Sequence, residues 1–389
     1  MKIVIVGAGK VGVALTRHLA VENRVTVIDQ NPHLVENIIN IYDVMGVCGN
    51  GASYDVQKEA DVEQADLLIA TTSSDEINIL TCLVAKKMGV QHTIARIRSP
   101  EYGRQLRFMR SELGLSMAIN PEAATAREIA RVLRFPTAMK LESFSKGRLE
   151  LVEYRVAEHT ALDGTRLSEL YRNFKVRVLI CAVARQGETI IPSGDFTLRA
   201  GDKIYLTAAP RELEKFFRLL GVFRARASSV MIVGASKMCY YLASELLEMG
   251  MSVKIIDQNE QRCVEMSEKL PRALVIVGDG TDSELLSEEG ISQTDAFVAI
   301  TGLDEANILM ALSAAKQSGD CCKVVAKINR KSLLELVSTE SLIDSVVSTG
   351  AVTTELILQY IRAMKNASAS KVKTLHRIVD EKVEALSSA

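Results

Sequence analysis

Short apolar runs alternate with amphipathic stretches along most of the chain. Residues 2–6 (KIVIV) form a continuous apolar strand, residues 11–20 carry helical spacing, and residues 24–28 form a second strand. A helix near residues 34–41, a strand near 43–48 and an apolar strand at 66–70 follow. A helix over 76–87, closed by Gly89, and a strand over 92–97 complete the series, with a further helix at 122–133 that stops before Phe135-Pro136. β-rich runs without period-two alternation, separated by helical stretches, predict a parallel sheet with both faces covered by helices.

The same order returns later in the chain. IVIVGAGKVG (3–12) recurs in degraded form as VMIVGASKMC (230–239), and the acid ending TVIDQN (Asp29) returns in KIIDQN (Asp257). GNGASYD (49–55) answers GDGTDSE (278–284), ATTSSDEINIL (70–80) answers AITGLDEANIL (299–309), and ARI (95–97) answers AKI (326–328). The offset stays between 227 and 231 residues over these matches, which identifies an internal repeat. Two such units predict two doubly wound, Rossmann-like α/β domains.

The segment between them reads differently. Residues 149–156 alternate, 159–164 form a turn, 166–171 a short helix, 178–184 a strand, 185–188 a hairpin turn, and 203–207 a strand after the turn Gly201-Asp202. This is a small α+β module. Residues 375–386 align with its opening hairpin at 141–152. The expected organisation is therefore a first nucleotide-type domain over 1–135, the small module over 136–222, a second Rossmann-like domain over 227–365, and over 366–389 the start of a second small module lacking most of its length.

Composition narrows the class. Lys plus Arg number 47 against 48 Asp plus Glu, a net charge of −1, which supplies no basic excess for nucleic acid or lipid headgroups. No apolar run approaches the ~20 residues of a membrane span and no secretory leader opens the sequence. The seven cysteines include no CxxC pair, only the neighbours Cys321 and Cys322. This usage points to reduced thiols in a cytoplasmic protein, without a disulfide framework or a zinc site. His18, His33, His92, His159 and His376 show no ligand spacing, so no metal is expected.

The glycine run Gly7-Ala8-Gly9-Lys10-Val11-Gly12 follows a strand and opens a helix, and Asp29 ends the next strand. In that setting the first glycine permits a tight turn, the second lets a phosphate approach the backbone, and the third lets helix and strand pack closely. The helix start supplies N–H groups and partial positive charge, and Asp29 suits a ribose while disfavouring a 2′-phosphate. In the repeat, Gly234 and Asp257 remain but the other glycines have become Ser236 and Cys239, so a structural pseudo-copy competes with a second site there.

GAGKVG (7–12), VIDQN (27–31), GNGASYD (49–55), TTSSDEINI (71–79) and ARIRSPEY (95–102), with RLSEL (166–170) and IIPSGDFTLRAGDKIYLTA (190–208), carry a family resemblance. The chain resembles the RCK (or KTN) domain proteins of the TrkA type, the regulatory subunits of Trk potassium-uptake systems, over essentially its whole length. The resemblance implies binding of NAD(H) and/or ATP/ADP, assembly into a homo-oligomeric ring, a tetramer by expectation, and control of a membrane potassium-conducting subunit of the Trk type. Attachment to the inner face of the plasma membrane would be through that partner, with no direct insertion and no nucleic-acid ligand.

Carried over by position, Gly7, Ala8, Gly9, Lys10, Val11 and Gly12 would cradle phosphates and Asp29 a ribose. Asn50 and Gly51 would face an adenine, and Thr71, Thr72, Asp75 and Asn78 would line the loop beyond the fourth strand. Lys10 and Arg96 would reach a terminal phosphate; a solvated helix-start charge and a salt bridge, respectively, fit these two equally. Asp75 also suits the N-cap of its helix. Asp257, Asp279 and Thr301 are the second-copy candidates. Glu122, near where relatives place a cation-binding acid, fits the favourable end of a helix dipole better, and the repeat has Gly350 there. No catalytic residue is expected. An NAD-dependent dehydrogenase is the first alternative, weakened because no substrate domain with a positioned acid or base follows; a structural ring scaffold with vestigial pockets is the other. Ring contacts are expected on the apolar faces of residues 308–315 and 79–84.

Overall fold

The computed structural model describes residues 1–102, 112–134, 140–144, 149–185, 188–221, 227–319, 322–337, 343–367, 372–378 and 383–388. The N-terminal sheet comprises β1 (Lys2–Val6), β2 (Arg24–Asp29), β3 (Met45–Cys48), β4 (Leu67–Ala70), β5 (His92–Arg96) and β6 (Met117–Ile119). Its order is β3-β2-β1-β4-β5-β6 and every pairing is parallel. Helices α1 (Lys10–Leu19), α2 (Pro32–Ile41), α3 (Tyr54–Glu59) and α4 (Asp75–Lys87) connect the strands. Ile3, Ile5, Leu67, Leu68 and Ile69 are fully buried, as expected of strands covered on both faces. The order reverses between β1 and β4, so the chain leaves these two strands in opposite directions and opens a crevice at their carboxyl ends.

After α5 (Pro121–Arg134) comes an antiparallel sheet built from β7 (Lys140–Phe144), β8 (Leu149–Arg155), β9 (Leu179–Arg185), β10 (Glu188–Ile190) and β11 (Lys203–Ala208), in the order β10-β9-β11-β8-β7. Helices α6 (Leu170–Phe174) and α7 (Pro210–Leu219) supply Phe174, Leu213, Phe216 and Phe217 to its core. Asp202 is almost fully buried and accepts from Arg185 Nε at 2.7 Å and from the Arg199 N–H at 2.8 Å, which pins the turn before β11. The tip of the hairpin expected at 185–188 lies partly outside the described residues, but Glu188 pairs with Arg185 across its base.

The second parallel sheet repeats the first. Strands β12 (Ser229–Val233), β13 (Ser252–Asp257), β14 (Leu274–Val277), β15 (Ala296–Ala299), β16 (Lys323–Lys327) and β17 (Ser345–Val347) take the order β14-β13-β12-β15-β16-β17. Its helices are α8 (Lys237–Glu248), α9 (Glu260–Lys269), α10 (Ser283–Glu288), α11 (Asp304–Ser318), α12 (Lys331–Val337) and α13 (Thr349–Ala367). The tail forms the antiparallel pair β18 (Val372–Ile378) and β19 (Val383–Ser388), in keeping with the hairpin expected there.

The chain divides into two compact units. One holds Met1–Ala126 with Ser348–Ile357, the other Arg127–Val347 with Leu358–Ala389. The division falls inside α5 and inside α13, so each of these helices begins with the unit that holds the first sheet and continues into the other.

Candidate functional site

The expected site residues of the first copy gather along the carboxyl edge of the first sheet. Gly7 ends β1 with φ +105, a conformation open to glycine, and a Cβ there would press on the Thr71 carbonyl carbon at 2.9 Å. A Cβ on Gly12 would overlap the Gly7 carbonyl oxygen, so this glycine lets α1 lie against the turn. Gly9 differs from both. It is exposed, no side chain caps the helix that it starts, and a Cβ there meets nothing within 4 Å. The first N–H groups of α1 therefore have no side-chain cap, and there is room beside Gly9 next to the positive potential of the helix start, an arrangement suited to an anion. Lys10 is exposed in the first turn, while Ala8 and Val11 are buried behind it.

Asp29 closes the loop from β2. Its Oδ2 accepts from the Ala8 N–H at 2.6 Å and its Oδ1 from the Asn31 N–H at 2.8 Å. Each oxygen keeps a second lone pair, so the carboxylate holds the glycine turn and can still receive hydroxyl donors. Asn50 Oδ1 accepts from the Ala52 N–H at 3.0 Å, and Gly51 sits so close to Val6 that a Cβ would overlap that side chain.

The loop beyond β4 is held from within. Thr71 is buried, with its hydroxyl 3.2 Å from the Val6 carbonyl oxygen. Asn78 is fully buried: its Oδ1 accepts from the Thr72 N–H (2.8 Å) and hydroxyl (2.7 Å), and its Nδ2 donates to the carbonyls of Arg96 (2.9 Å) and Thr72 (3.2 Å). All four of its hydrogen-bonding positions are thus used inside the chain, so any part it plays at a ligand is indirect. Asp75 Oδ2 accepts from the N–H groups of Arg98 (2.9 Å) and Ser99 (2.8 Å) and braces the loop after β5. The N-cap of α4 is Ser74, whose hydroxyl accepts from the Ile77 N–H at 3.2 Å, rather than Asp75 as the sequence allowed.

Arg96 lies with its Nη2 3.8 Å from Glu122 Oε1, and Arg98 Nε donates to the same oxygen at 2.6 Å. Glu122 thus does more than complement a helix dipole. Burial pulls the Arg96 guanidinium below its ordinary pKa and Glu122 partly restores it. Sequence reasoning had no sign of Arg98 as the nearer partner.

The second copy reproduces the bracing. Asp257 accepts from the N–H groups of Ala235 (2.7 Å) and Asn259 (2.8 Å), Asn307 Oδ1 accepts from the Thr301 N–H (2.9 Å) and hydroxyl (2.7 Å), and Asp304 accepts from the Asn329 and Arg330 N–H groups at 2.9 Å. Asp279 accepts from the Thr281 hydroxyl (2.7 Å) and N–H (2.8 Å), which hold its carboxyl below the ordinary aspartate value. The helix start is different: the Cys239 N–H donates to Ser236 Oγ at 3.4 Å, so α8 is capped by its own side chain.

One buried polar residue escaped the sequence reading. Gln57 of α3 is fully buried beneath Gly51, where the repeat has Leu286. Comparing the two copies position by position is the signal that marks it. Among the described residues no group of three or more His, Cys, Asp or Glu side chains forms a metal site, and no helix is long and apolar enough to cross a membrane.

Comparison with known proteins adds a second line of observation. The TrkA-N domain family matches residues 3–121 and again 230–349, and the TrkA-C domain family matches residues 151–221. The chain is similar to the Trk system potassium uptake protein TrkA of Vibrio alginolyticus, 34% identical over 391 residues that span 99% of this chain and 84% of the relative. It is 32% identical to a TrkA homolog of Archaeoglobus fulgidus, over 96% of this chain and 84% of that protein. Among solved structures, the GsuK RCK domain superposes with a TM-score of 0.71 at 19% identity, covering 96% of this chain and 79% of that one. The GsuK channel bound to NAD gives a TM-score of 0.70 at 21% identity, covering 94% of this chain and 64% of that one. At these identities the structural likeness speaks to the fold.

Proposed function

Because the chain belongs to the TrkA family, we propose that it is a non-enzymatic regulatory subunit that binds a nucleotide in its first parallel-sheet domain and thereby controls a membrane potassium-conducting partner. The observation that carries the reading is the open start of α1: uncapped N–H groups, free space at Gly9, and Asp29 alongside. These residues fit a nucleotide phosphate group and its ribose. A GsuK channel solved with NAD and a GsuK solved with ADP support the choice between a dinucleotide and an adenine nucleotide as ligand.

Gly7 to Gly12 would hold the phosphates, Asp29 a ribose, and the Asn50–Gly51 loop the base. Thr71, Thr72, Asp75 and Asn78 would keep the neighbouring loops in shape. Lys10 and Arg96 are the cations for a terminal phosphate. Asp257, Asp279 and Thr301 hold the equivalent places in the second domain. Control of the partner then requires the nucleotide to favour one assembled shape over another, because a ligand shifts an equilibrium only through unequal affinity. Assembly as a homo-oligomeric ring beneath the pore, at the cytoplasmic side of the membrane, is the arrangement this reading implies.

Titration calorimetry with ATP, ADP, NAD⁺ and NADH tests the first half. Wild type should bind at least one of them, and Asp29→Ala should weaken it by about tenfold, the effect of losing one or two hydrogen bonds to a charged acceptor. A wild type that binds none overturns the proposal. Equal scattering profiles in every bound state overturn the gating half alone.

A further inference from the structure

We infer that Gln57 is a positioning residue of the first nucleotide domain, tying the loop of Asn50 and Gly51 to helix α4 so that the loop stands ready for a nucleotide base. The inference rests on the functional reading above and names a residue that this reading does not use.

Gln57 has no exposed surface, an unusual place for an amide side chain. Its Nε2 donates to the Gly51 carbonyl at 2.7 Å and to the Thr81 carbonyl of α4 at 3.0 Å. Its Oε1 has no hydrogen-bond partner, and neither has the buried hydroxyl of Thr81. Buried polar atoms without partners cost stability, so this amide is not an optimal core residue.

The repeat supplies the control. At the matching positions it has Leu286 and Met310, both buried within an apolar core. Yet the second sheet has the same strand order, and Gly280 lies as tightly against Val233 as Gly51 lies against Val6. The fold of the loop therefore does not require an amide beneath it. What Gln57 adds is a link from the Gly51 carbonyl to α4. That helix also carries Asp75 and Asn78, which hold the loop after β5 and the loop after β4. With Gln57 in place, α4 ties three loops at the carboxyl edge of the sheet into one piece. In the second copy, α11 holds two of them, through Asp304 and Asn307.

The test uses the full chain as wild type, Gln57→Leu, the double variant Gln57→Leu with Thr81→Met that recreates the second core, and the reciprocal Leu286→Gln. ADP affinity, thermal midpoint, and amide hydrogen exchange over residues 50–53 are measured on each. Gln57→Leu and the double variant should bind ADP about fivefold to tenfold more weakly, as for one lost positioning hydrogen bond. Their thermal midpoint should be equal to or above wild type, and the amides of Gly51, Ala52 and Ser53 should exchange faster. Leu286→Gln should lower the midpoint with ADP affinity unchanged. ADP affinity equal to wild type in Gln57→Leu overturns the inference. So does a parallel fall of affinity and midpoint, because that is the mark of an ordinary core residue. A wild type without nucleotide binding sinks the functional reading instead, and the exchange of the loop amides still reports whether Gln57 holds them.

Discussion

The two parallel sheets differ where a ligand would lie and agree where the chain supports itself. Both place an acid at the end of the second strand with the same two backbone donors, Asp29 and Asp257. Both use an asparagine and an aspartate on the helix after the fourth strand to staple the neighbouring loops. The places where they part company include Gly9 and Gly12 against Ser236 and Cys239, Gln57 and Thr81 against Leu286 and Met310, and Arg96 with Glu122 against Lys327 with Gly350. The shared groups have enough structural work to explain their presence without a ligand. The differing ones include the open helix start itself, so an intact-looking acid or loop is weaker evidence for a site than a missing side chain is.

The sharpest way to break this comparison is to move second-copy residues into the first. Gly12→Cys should have the largest effect. A side chain there overlaps the Gly7 carbonyl, so α1 must shift away from the turn, at about 3 kcal/mol of overpacking. Nucleotide affinity should fall by about 100-fold or more, since the cradle moves with the helix. Thermal unfolding with calorimetry reads both. Stability and affinity equal to wild type would mean that the close approach at Gly12 is not what separates the copies.

Gly9→Ser comes next and separates the two readouts. The new hydroxyl should cap α1 as Ser236 caps α8, leaving stability unchanged or higher by up to about 0.5 kcal/mol. The same hydroxyl occupies the anion position, so affinity should fall by about tenfold to 100-fold. Undiminished affinity would show that a self-capped helix start still accepts a nucleotide, so that Ser236 is not what sets the second copy apart. Ser236→Ala is the milder converse. It removes the cap of α8 and should lower stability by about 1 kcal/mol while leaving nucleotide affinity as it was.

Much of this was legible in the chain itself. The repeat, the parallel strands, the glycine turn and its acid are all readable, because a buried strand needs an unbroken apolar run and a tight turn needs glycine. The three-residue edge strands Met117–Ile119 and Ser345–Val347 were missed, since three residues are too few to show a period. So was α7 at Pro210–Leu219. The cap of α4 was misplaced by one residue because Ser74 and Asp75 are both able to cap, and only the hydroxyl's bond to the Ile77 N–H decides it. The bracing roles of Asn78 and Asp75 were hidden for a different reason. Apart from Thr72, their partners are main-chain atoms 18 to 24 residues away, and no side-chain pattern reveals a bond to a backbone N–H or carbonyl.

The smallest effect reads the first site without altering the cradle. Cys48 ends β3, is exposed, and immediately precedes Gly49, whose N–H donates to the Asp29 carbonyl at 2.9 Å. The second copy has Val277 at this place, and its nearby thiols Cys239 and Cys263 are buried. Cys82, Cys239, Cys263 and Cys322 are buried, and Cys181 in the small module is half-buried with its thiol pKa pushed up by burial. Alkylation of the native protein, followed peptide by peptide in a mass spectrometer, should therefore modify Cys48 ahead of these five. Saturating ADP should slow that reaction about twofold to fivefold, since Cys48 pairs with Asp29 across β2 and β3, whereas the rate at Cys181 should not change. In Gly9→Ser, at the same ADP concentration, the protection should shrink in proportion to the lost occupancy. Protection of Cys48 that survives Gly9→Ser unchanged would place the nucleotide away from the start of α1, and the contrast between Gly9 and Ser236 would lose its functional meaning.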